Sequence, residues 1–590
     1  MKQVAYFVVN HFIYTLIVKT TYKRINSILK NKHMKLYKYT RLSLVSLAVL
    51  TFSFLSCNNT ATDSNNNTVK TNIDSQKPNI VFFIADDMYR HMFNCLDEGK
   101  GKNLSPNIDK LANEGVLMLN QYVSSSVCTP SRYSCLTGQY ASRAINHVMD
   151  VTTKRMDGET VVQWNSYIVP GQTTIGNLLK KMGYTSGFFG KNHAVEAPGW
   201  QKLPLETDPT DKDAIAVLKK DQEIIRESLR KCGFDYSGAL YQDNPSYLGP
   251  EKLRVQNLDW ITDKALDFLD KTKDEPVFLY YATTVPHGPS NASQSWNGDR
   301  RVTAEGILDT PPTCLPAKET IKKRLIEAGL ATEDKVPDDV GNVLWIDDAL
   351  GAIIKKLEDQ GKLDNTIIFF FTDHGMIAKG SVYEGGVSTP SIIWRKAGFG
   401  AEKINKSLVS NIDFAPTIFE MVGGNPDTIK SFDGKSLLSL IQNKETDKIH
   451  ESLYFEMGFS RGILKDSMKY IALRYPEFAL NWTFEERKKA LDDWNNFRIK
   501  EKLRYHFTDP NKPFSHLMLI PGGGDAEFPS TKKYKHYYDS DQFYDLRKDP
   551  KEQNNLINDP EYQDKIKEYK ELLKGYLLEL PGVFGEFKTK

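Results

Sequence analysis

Residues Ser124–Gly138 (SSSVCTPSRYSCLTG) concentrate reactive side chains in one short stretch. A strand-like approach, Gln121-Tyr122-Val123, leads into three serines, then Cys128, Pro130 and Arg132. From Thr129 the spacing predicts a helix. Pro130 falls near its first position, where a missing N–H is harmless, and Gly138 closes it. Cys128 is then expected at a helix N-terminus, where free N–H groups and the helix dipole favour an anion. Arg132 lies one turn along the same face and adds a planar cation. A nucleophile, an anion site and a guanidinium thus fall within one turn. A lone cysteine at a helix start is as readily a small packing residue, so the rest of the chain must supply its company.

That company lies at the ends of apolar runs. Pro78–Ala85 (PNIVFFIA) ends at Asp86-Asp87, and Thr366–Phe371 (TIIFFF) ends at Thr372-Asp373-His374-Gly375. Continuous apolar runs suit strands buried on both faces of a parallel sheet, where ligands bind beyond the carboxyl ends. Three carboxylates and one imidazole imply a divalent cation, and the oxygen-rich set suits Ca²⁺ or Mg²⁺ better than structural Zn²⁺. Lys191 and His193 follow the strand-like Tyr184–Phe189, His287 follows Val277–Ala282, and Lys379 opens a Gly-rich loop running to Gly386. Each alone is an ordinary surface cation or core histidine. Together they would set positive charge around Cys128, where a developing anion needs it.

The elements that must position these groups alternate. Helices are expected at Ser105–Gly115, Thr174–Met182, Asp259–Lys271, Asn342–Gln360 and Asp413–Val422, between apolar strands. The expected fold is α/β: a large doubly wound, mostly parallel sheet flanked by helices, with a smaller C-terminal α+β subdomain. The latter has antiparallel strands at Ser452–Glu456, Ser460–Lys465 and Lys469–Leu473, a strand at Gln542–Leu546 and a last helix at Asp559–Leu580. Trp482, Trp494 and the tyrosines at 534, 537 and 538 could stack on sugars or belong to the core.

C-T-P-S-R followed by L-T-G resembles the signature of the type I, formylglycine-dependent sulfatases of the alkaline phosphatase superfamily. The order of Asn79–Asp87, Gly190–His193, Pro286-His287, Thr372–Gly375 and Lys379–Gly386 also resembles that family. So does the later Tyr544-Asp545-Leu546…Asp549-Pro550…Glu552…Asn555-Leu556. The resemblance spans roughly residues 77–556 and implies an alkaline-phosphatase-like fold. It implies that a formylglycine-generating or anaerobic maturing enzyme converts Cys128 to formylglycine, whose hydrate attacks sulfur. By the same resemblance one cation, Ca²⁺ favoured over Mg²⁺, is held by Asp86, Asp87, Asp373, His374 and modified Cys128. Arg132 and Lys191 would hold the hydrate and sulfate, Lys379 and His287 would bind sulfate and protonate the leaving oxygen, and His193 would assist the hydrate. Many members carry Asn where His374 stands; others, phosphonate monoesterases included, carry His. The implied activity is hydrolysis of sulfate monoesters on sulfated, including algal, poly- or oligosaccharides. The rivals are a phosphonate or phosphodiester hydrolase on the same scaffold and a glycan-binding lipoprotein without turnover.

The 590 residues carry a formal net charge of +2, which gives no support for nucleic-acid binding. Six scattered cysteines form no zinc or disulfide framework. Met34–Cys57 resembles a bacterial export signal: Lys35, Lys38 and Arg41 precede the apolar Leu42–Leu55, and Leu55-Ser56-Cys57 resembles a lipobox with Cys57 as lipid acceptor. The chain is therefore expected to be exported and periplasmic or lipid-anchored. The expected organisation is an extension with a lipoprotein-type signal (1–57), a flexible tether (58–76), a catalytic domain (77–445) and the C-terminal subdomain (446–590), with translation starting at Met1 or Met34.

Overall fold

The computed structural model describes residues 77–399, 403–442, 448–500, 510–511, 530 and 532–589. The signal, Cys57, the tether at 58–76 and the boundary at Glu445 lie outside the described residues.

The apolar run at Asn79–Asp86 forms β1, buried along its whole length. It is the centre of an eight-stranded sheet completed by β2 (Val116–Met118), β3 (Thr185–Lys191), β4 (Tyr236–Tyr241), β5 (Val277–Pro286), β6 (Thr366–Thr372), β7 (Ser391–Arg395) and β8 (Ile404–Asn405). The order is β8-β2-β7-β6-β1-β5-β3-β4. β6, β1, β5, β3 and β4 are mutually parallel, and β7 runs antiparallel to β6 and β2. The carboxyl ends of five strands therefore share one edge. Alternation splits β1 between two cores: Val81, Phe83 and Ala85 face one, and Ile80, Phe82 and Ile84 the other. Phe82 meets Tyr280 at 5.5 Å and Phe371 at 4.9 Å, and Phe83 meets Tyr281 at 4.6 Å. These ring pairs fix the register of β1 against both neighbours.

Helices α1 (Pro106–Glu114), α2 (Cys128–Thr137), α3 (Ile175–Lys181), α4 (Lys212–Lys231), α5 (Leu258–Lys271), α6 (Asp338–Asp359) and α7 (Phe414–Met421) contribute to the two faces. The sequence reading did not foresee α4 or β4. β4 is an edge strand whose first two residues are not buried, so it lacks the continuous apolar run of its neighbours. The strand-like approach at Gln121-Tyr122-Val123 is a two-residue strand, Gln121–Tyr122, separated from β2 by Leu119-Asn120.

A second, antiparallel sheet is formed by β9 (Leu453–Met457), β10 (Ser460–Lys465), β11 (Met468–Leu473) and β12 (Asp541–Asp545). A last helix, α8 (Gln563–Glu579), covers it with Ile566, Tyr569, Leu573 and Leu577. Tyr534 and Tyr537 are core rather than sugar platforms: Tyr534 stacks on Tyr383 with ring centroids 3.8 Å apart, and both are buried. Among the described residues no helix is long and apolar enough to cross a membrane.

Candidate active site

Helix α2 begins at Cys128 itself, one residue earlier than the spacing suggested, so Pro130 is its third residue. The consequence is unchanged, because the first-turn N–H groups have no helical partner. Gly138 ends the helix at φ 67° in the left-handed region. The approach is braced from both sides. Ser124 N–H donates to Asn411 Oδ1 at 3.0 Å, Asn411 Nδ2 donates to Ser131 O at 3.1 Å, and Ser131 Oγ donates to Asp373 O. The helix start is thereby tied to the end of β6.

All of the sequence-predicted residues among the described ones converge there. Asp86 and Asp87 end β1, Lys191 ends β3 with His193 two residues on, His287 follows β5, and Asp373-His374 follows β6. The main chain pins these ends together: His287 N–H donates to Asp86 O at 3.0 Å and Asp373 N–H to Ala85 O at 3.1 Å. Asp87 sits at φ 64° and gives its N–H to Asp373 Oδ1 at 3.0 Å. A non-glycine residue in the left-handed region at a strand end is strain of the kind that active sites hold.

The side chains divide into two groups. In the first, the carboxylate of Asp86 accepts from Lys191 Nζ at 2.9 and 2.8 Å and from Arg132 Nη2 at 3.0 Å. Arg132 Nη2 also reaches Asp373 Oδ2 at 3.1 Å. All four of these side chains are fully buried. Burial opposes the charged form of Lys191, and Asp86 together with the other acidic groups around it more than offsets the burial. In the second, Lys379 Nζ donates to both oxygens of Asp87 at 2.7 and 2.8 Å and lies 3.8 Å from Cys128 Sγ. Burial alone would raise the Asp87 carboxyl, but Lys379, His287 and His374 hold it well below the ordinary carboxylate range.

Asp87, Cys128, Asp373 and His374 each offer a ligand atom within 4.8 Å of one another, all buried. His374 Nδ1 donates to Gly375 O at 3.1 Å, which turns Nε2 toward Cys128 Sγ (3.4 Å) and Asp87 Oδ1 (3.1 Å). A bare imidazole nitrogen that close to a carboxylate oxygen repels it unless a proton or a cation lies between. Asp373 and Asp87 raise His374 to about 10 against its burial, so a proton fills this gap when no cation does. A divalent cation on the same donor set would replace that proton, with the second hydrogen bond of His374 fixing its tautomer. Asp86 lies outside this set of four and faces Lys191 and Arg132.

His287 and Lys379 carry the site's openings, with side chains 25% and 15% exposed. His193 is buried at φ 41°, its Nε2 3.4 Å from Asp243 Oδ2. Burial, Lys191 and Arg132 push its imidazole well below the usual range, so it is neutral. Sequence reasoning missed Asp243 and Asn244, the latter with Nδ2 3.1 Å from His287 Nε2. Both follow the end of β4 as the other site residues follow theirs, but the incompletely buried start of that strand hid it, and them, from the sequence reading.

A family model described as Sulfatase matches residues 78–424, and one described as N-sulphoglucosamine sulphohydrolase, C-terminal, matches residues 372–509. An ulvan-active sulfatase of Formosa agariphila is 24% identical over 529 residues, covering 85% of this chain and 75% of its own. An N-acetylglucosamine-6-O-sulfatase of Bacteroides thetaiotaomicron is 22% identical over 578 residues, covering 85% and 86%. A solved structure described with the metabolism of multiple glycosaminoglycans by Bacteroides thetaiotaomicron superposes with TM-score 0.52 at 20% identity, covering 85% of this chain and 99% of its own. The chain belongs to the sulfatase family. It is a sulfuric ester hydrolase on an alkaline-phosphatase-like fold, whose family generally uses a metal ion and a formylglycine.

Proposed function

We propose that the chain hydrolyses O-sulfate monoesters on sulfated poly- or oligosaccharides, algal polysaccharides among them, with Cys128 converted to formylglycine and Ca²⁺ preferred to Mg²⁺. The observation that carries the reading is the position of Cys128. Its Sγ stands at a helix N-terminus, 3.4 Å from His374 Nε2 and 3.8 Å from Lys379 Nζ, inside a buried set of candidate cation ligands. The ulvan-active and N-acetylglucosamine-6-O-sulfatase relatives support a carbohydrate ester.

As formylglycine, Cys128 would supply a hydrated aldehyde as nucleophile. A divalent cation on Asp87, Asp373, His374 and the modified side chain, with Asp86 adjoining, would supply charge against the sulfate oxygens. The chain's own residues do the remaining work. Arg132 and Lys191 fix Asp86 and Asp373 and balance their charge at the floor of the site. Lys379 and His287, at the opening, meet the ester and its leaving oxygen, where a positioned acid contributes about 10²–10⁴-fold. Neutral His193, held beside Asp243, would hydrogen-bond near the nucleophile without carrying charge. Export as a periplasmic or Cys57-lipidated protein, with a tether at 58–76 before catalytic (77–445) and C-terminal (446–590) parts, completes the proposal.

The test is co-expression with a formylglycine-generating or anaerobic maturing enzyme. The mass of the Cys128 peptide should fall by about 18 Da, the change that thiol-to-aldehyde conversion requires. Sulfate should be released from oligosaccharides of ulvan or glycosaminoglycans. Release should vanish in Cys128→Ala and on chelation, and return with Ca²⁺. Higher kcat/KM on a phosphonate monoester would move the reading to that chemistry. Glycan binding without turnover in wild type and Cys128→Ala alike would overturn it.

A further inference from the structure

Lys379 is carried by the Gly-rich loop between β6 and the helical turn Glu384–Val387. On one side this loop is held by the approach to Cys128: Gly380 N–H donates to Ser126 O at 3.1 Å, and Ser126 Oγ donates to Ser381 O at 2.6 Å. On the other side it is held by the C-terminal part of the chain. Lys469 Nζ, on β11, forms ion pairs with Glu384 Oε1 at 2.5 Å and Glu552 Oε1 at 3.2 Å, and donates to Val382 O at 3.2 Å. Glu552 Oε2 accepts the N–H of Glu384 at 2.7 Å. Tyr383 OH donates to Gln542 Oε1 at 2.7 Å, and Lys533 Nζ donates to Ile377 O at 2.6 Å.

The side chains of Lys469 and Glu552 are fully buried, and that of Glu384 is 18% exposed. One ammonium between two carboxylates is a costly core. Well-packed apolar residues are often equal or better for stability, so such a group needs a reason beyond stability. Here Lys469 and Glu552 pair with each other and each also reaches the loop that carries Lys379. We propose that Glu384, Lys469 and Glu552 form a buried clamp through which the C-terminal sheet positions Lys379 for catalysis. They are positioning residues and touch no substrate. Glu552 holds the main chain at Glu384, and Lys469 holds the Glu384 side chain and the Val382 carbonyl. Burial and Glu384 lift the Glu552 carboxyl to about 7, against the pull of Lys469.

The inference rests on the sulfatase reading, since it acts through Lys379. Its test is a double-mutant cycle on the matured protein with a small aryl sulfate, too short to reach the C-terminal sheet, with Cys128 conversion measured in every variant. Glu552→Ala should lower kcat/KM by about tenfold or more, the scale of a misplaced catalytic group. In a Lys379→Ala background the same change should cost less than about twofold, because coupled sites are not additive. Glu552→Gln, which keeps an acceptor for the Glu384 N–H, should recover most of the loss. Lys469→Met should repeat the pattern, and where it does not fold the Glu552 variants decide alone. Full activity in Glu552→Ala, or an undiminished loss in the Lys379→Ala background, overturns the clamp while leaving an active sulfatase. Wild-type silence on every sulfate ester overturns the sulfatase reading itself.

Discussion

Arg132 shows how differently one kind of contact counts in two settings. Lys355 and Asp359 pair at 2.7 Å on α6, but with 70% and 57% of their side chains exposed; solvent screens such a pair and it contributes little to stability. The bonds from Arg132 to Asp86 and Asp373 are longer, yet every partner is fully buried. Removing the guanidinium takes a cation from two buried carboxylates and leaves Asp86 to Lys191 and Asp373 to His374 and the Asp87 N–H. A buried pair broken in this way costs about 3–5 kcal/mol. Arg132→Met should therefore lower stability by that order, read as a fall in the urea midpoint in chelator, and abolish sulfate release. Arg132→Lys should recover part of the stability, because a charge returns without the planar fork. An unshifted midpoint for Arg132→Met would mean that the buried charges are balanced elsewhere.

At the scale of elements, the site depends on strands ending in register. Gly190, the residue before Lys191 on β3, has φ 91°, and a Cβ there would stand 1.8 Å from the carbonyl oxygen of Ala282 on β5. Only glycine permits that approach. Gly190→Ala must push β3 from β5 and carry Lys191 away from Asp86. We expect a loss of activity of about 10²-fold, the scale of roughly 1 Å of misplacement, in a protein whose far-ultraviolet circular dichroism stays native. Native activity would show that the strand can yield without moving Lys191. Much of this was legible in the sequence, because β1 and β6 are uninterrupted apolar runs that end in acids, a pattern that fixes burial and site together. β4 was not legible: its opening residues Tyr236 and Ser237 are incompletely buried, so no apolar run announces it, and Asp243 and Asn244 went unread with it. The division of cations, Lys191 and Arg132 on Asp86 but Lys379 on Asp87, depends on side-chain reach across strands, which spacing along the chain does not encode. The sequence left Tyr534 and Tyr537 open between core and sugar platform, because a ring's burial depends on its partner, here Tyr383 from more than a hundred residues earlier.

At the scale of the whole molecule, the C-terminal sheet does not stand apart from the catalytic sheet. Tyr122, Val127, Val382 and Val387 share one apolar cluster with Phe455, Leu464, Tyr534 and Tyr544. The end of the chain closes a second seam, where Val583 N–H donates to Gly158 O at 3.0 Å and Thr160 Oγ1 to Pro581 O at 3.4 Å. Between them lies Glu159, 3% exposed, with Oε1 lacking a hydrogen-bond partner among the described residues. Burial pushes its carboxyl up to about 8, against the pull of Arg461 and Arg474. An acid whose folded value is raised binds its proton more tightly in the folded chain. Its contribution to stability is fully present below the unfolded value, near 4.5, and is lost as pH climbs to about 8. Over that window Glu159 should lower stability by up to about 1.4 kcal/mol per pH unit, and above it no further. Glu159→Gln keeps the shape and removes the titration, so unfolding of the two proteins, followed from pH 5 to pH 9, should diverge up to about pH 8 in favour of the glutamine and then run parallel. Parallel curves throughout would mean that the two arginines already hold Glu159 ionised, and that the seam between the catalytic part and the chain's end is a buried ion pair rather than a neutral acid.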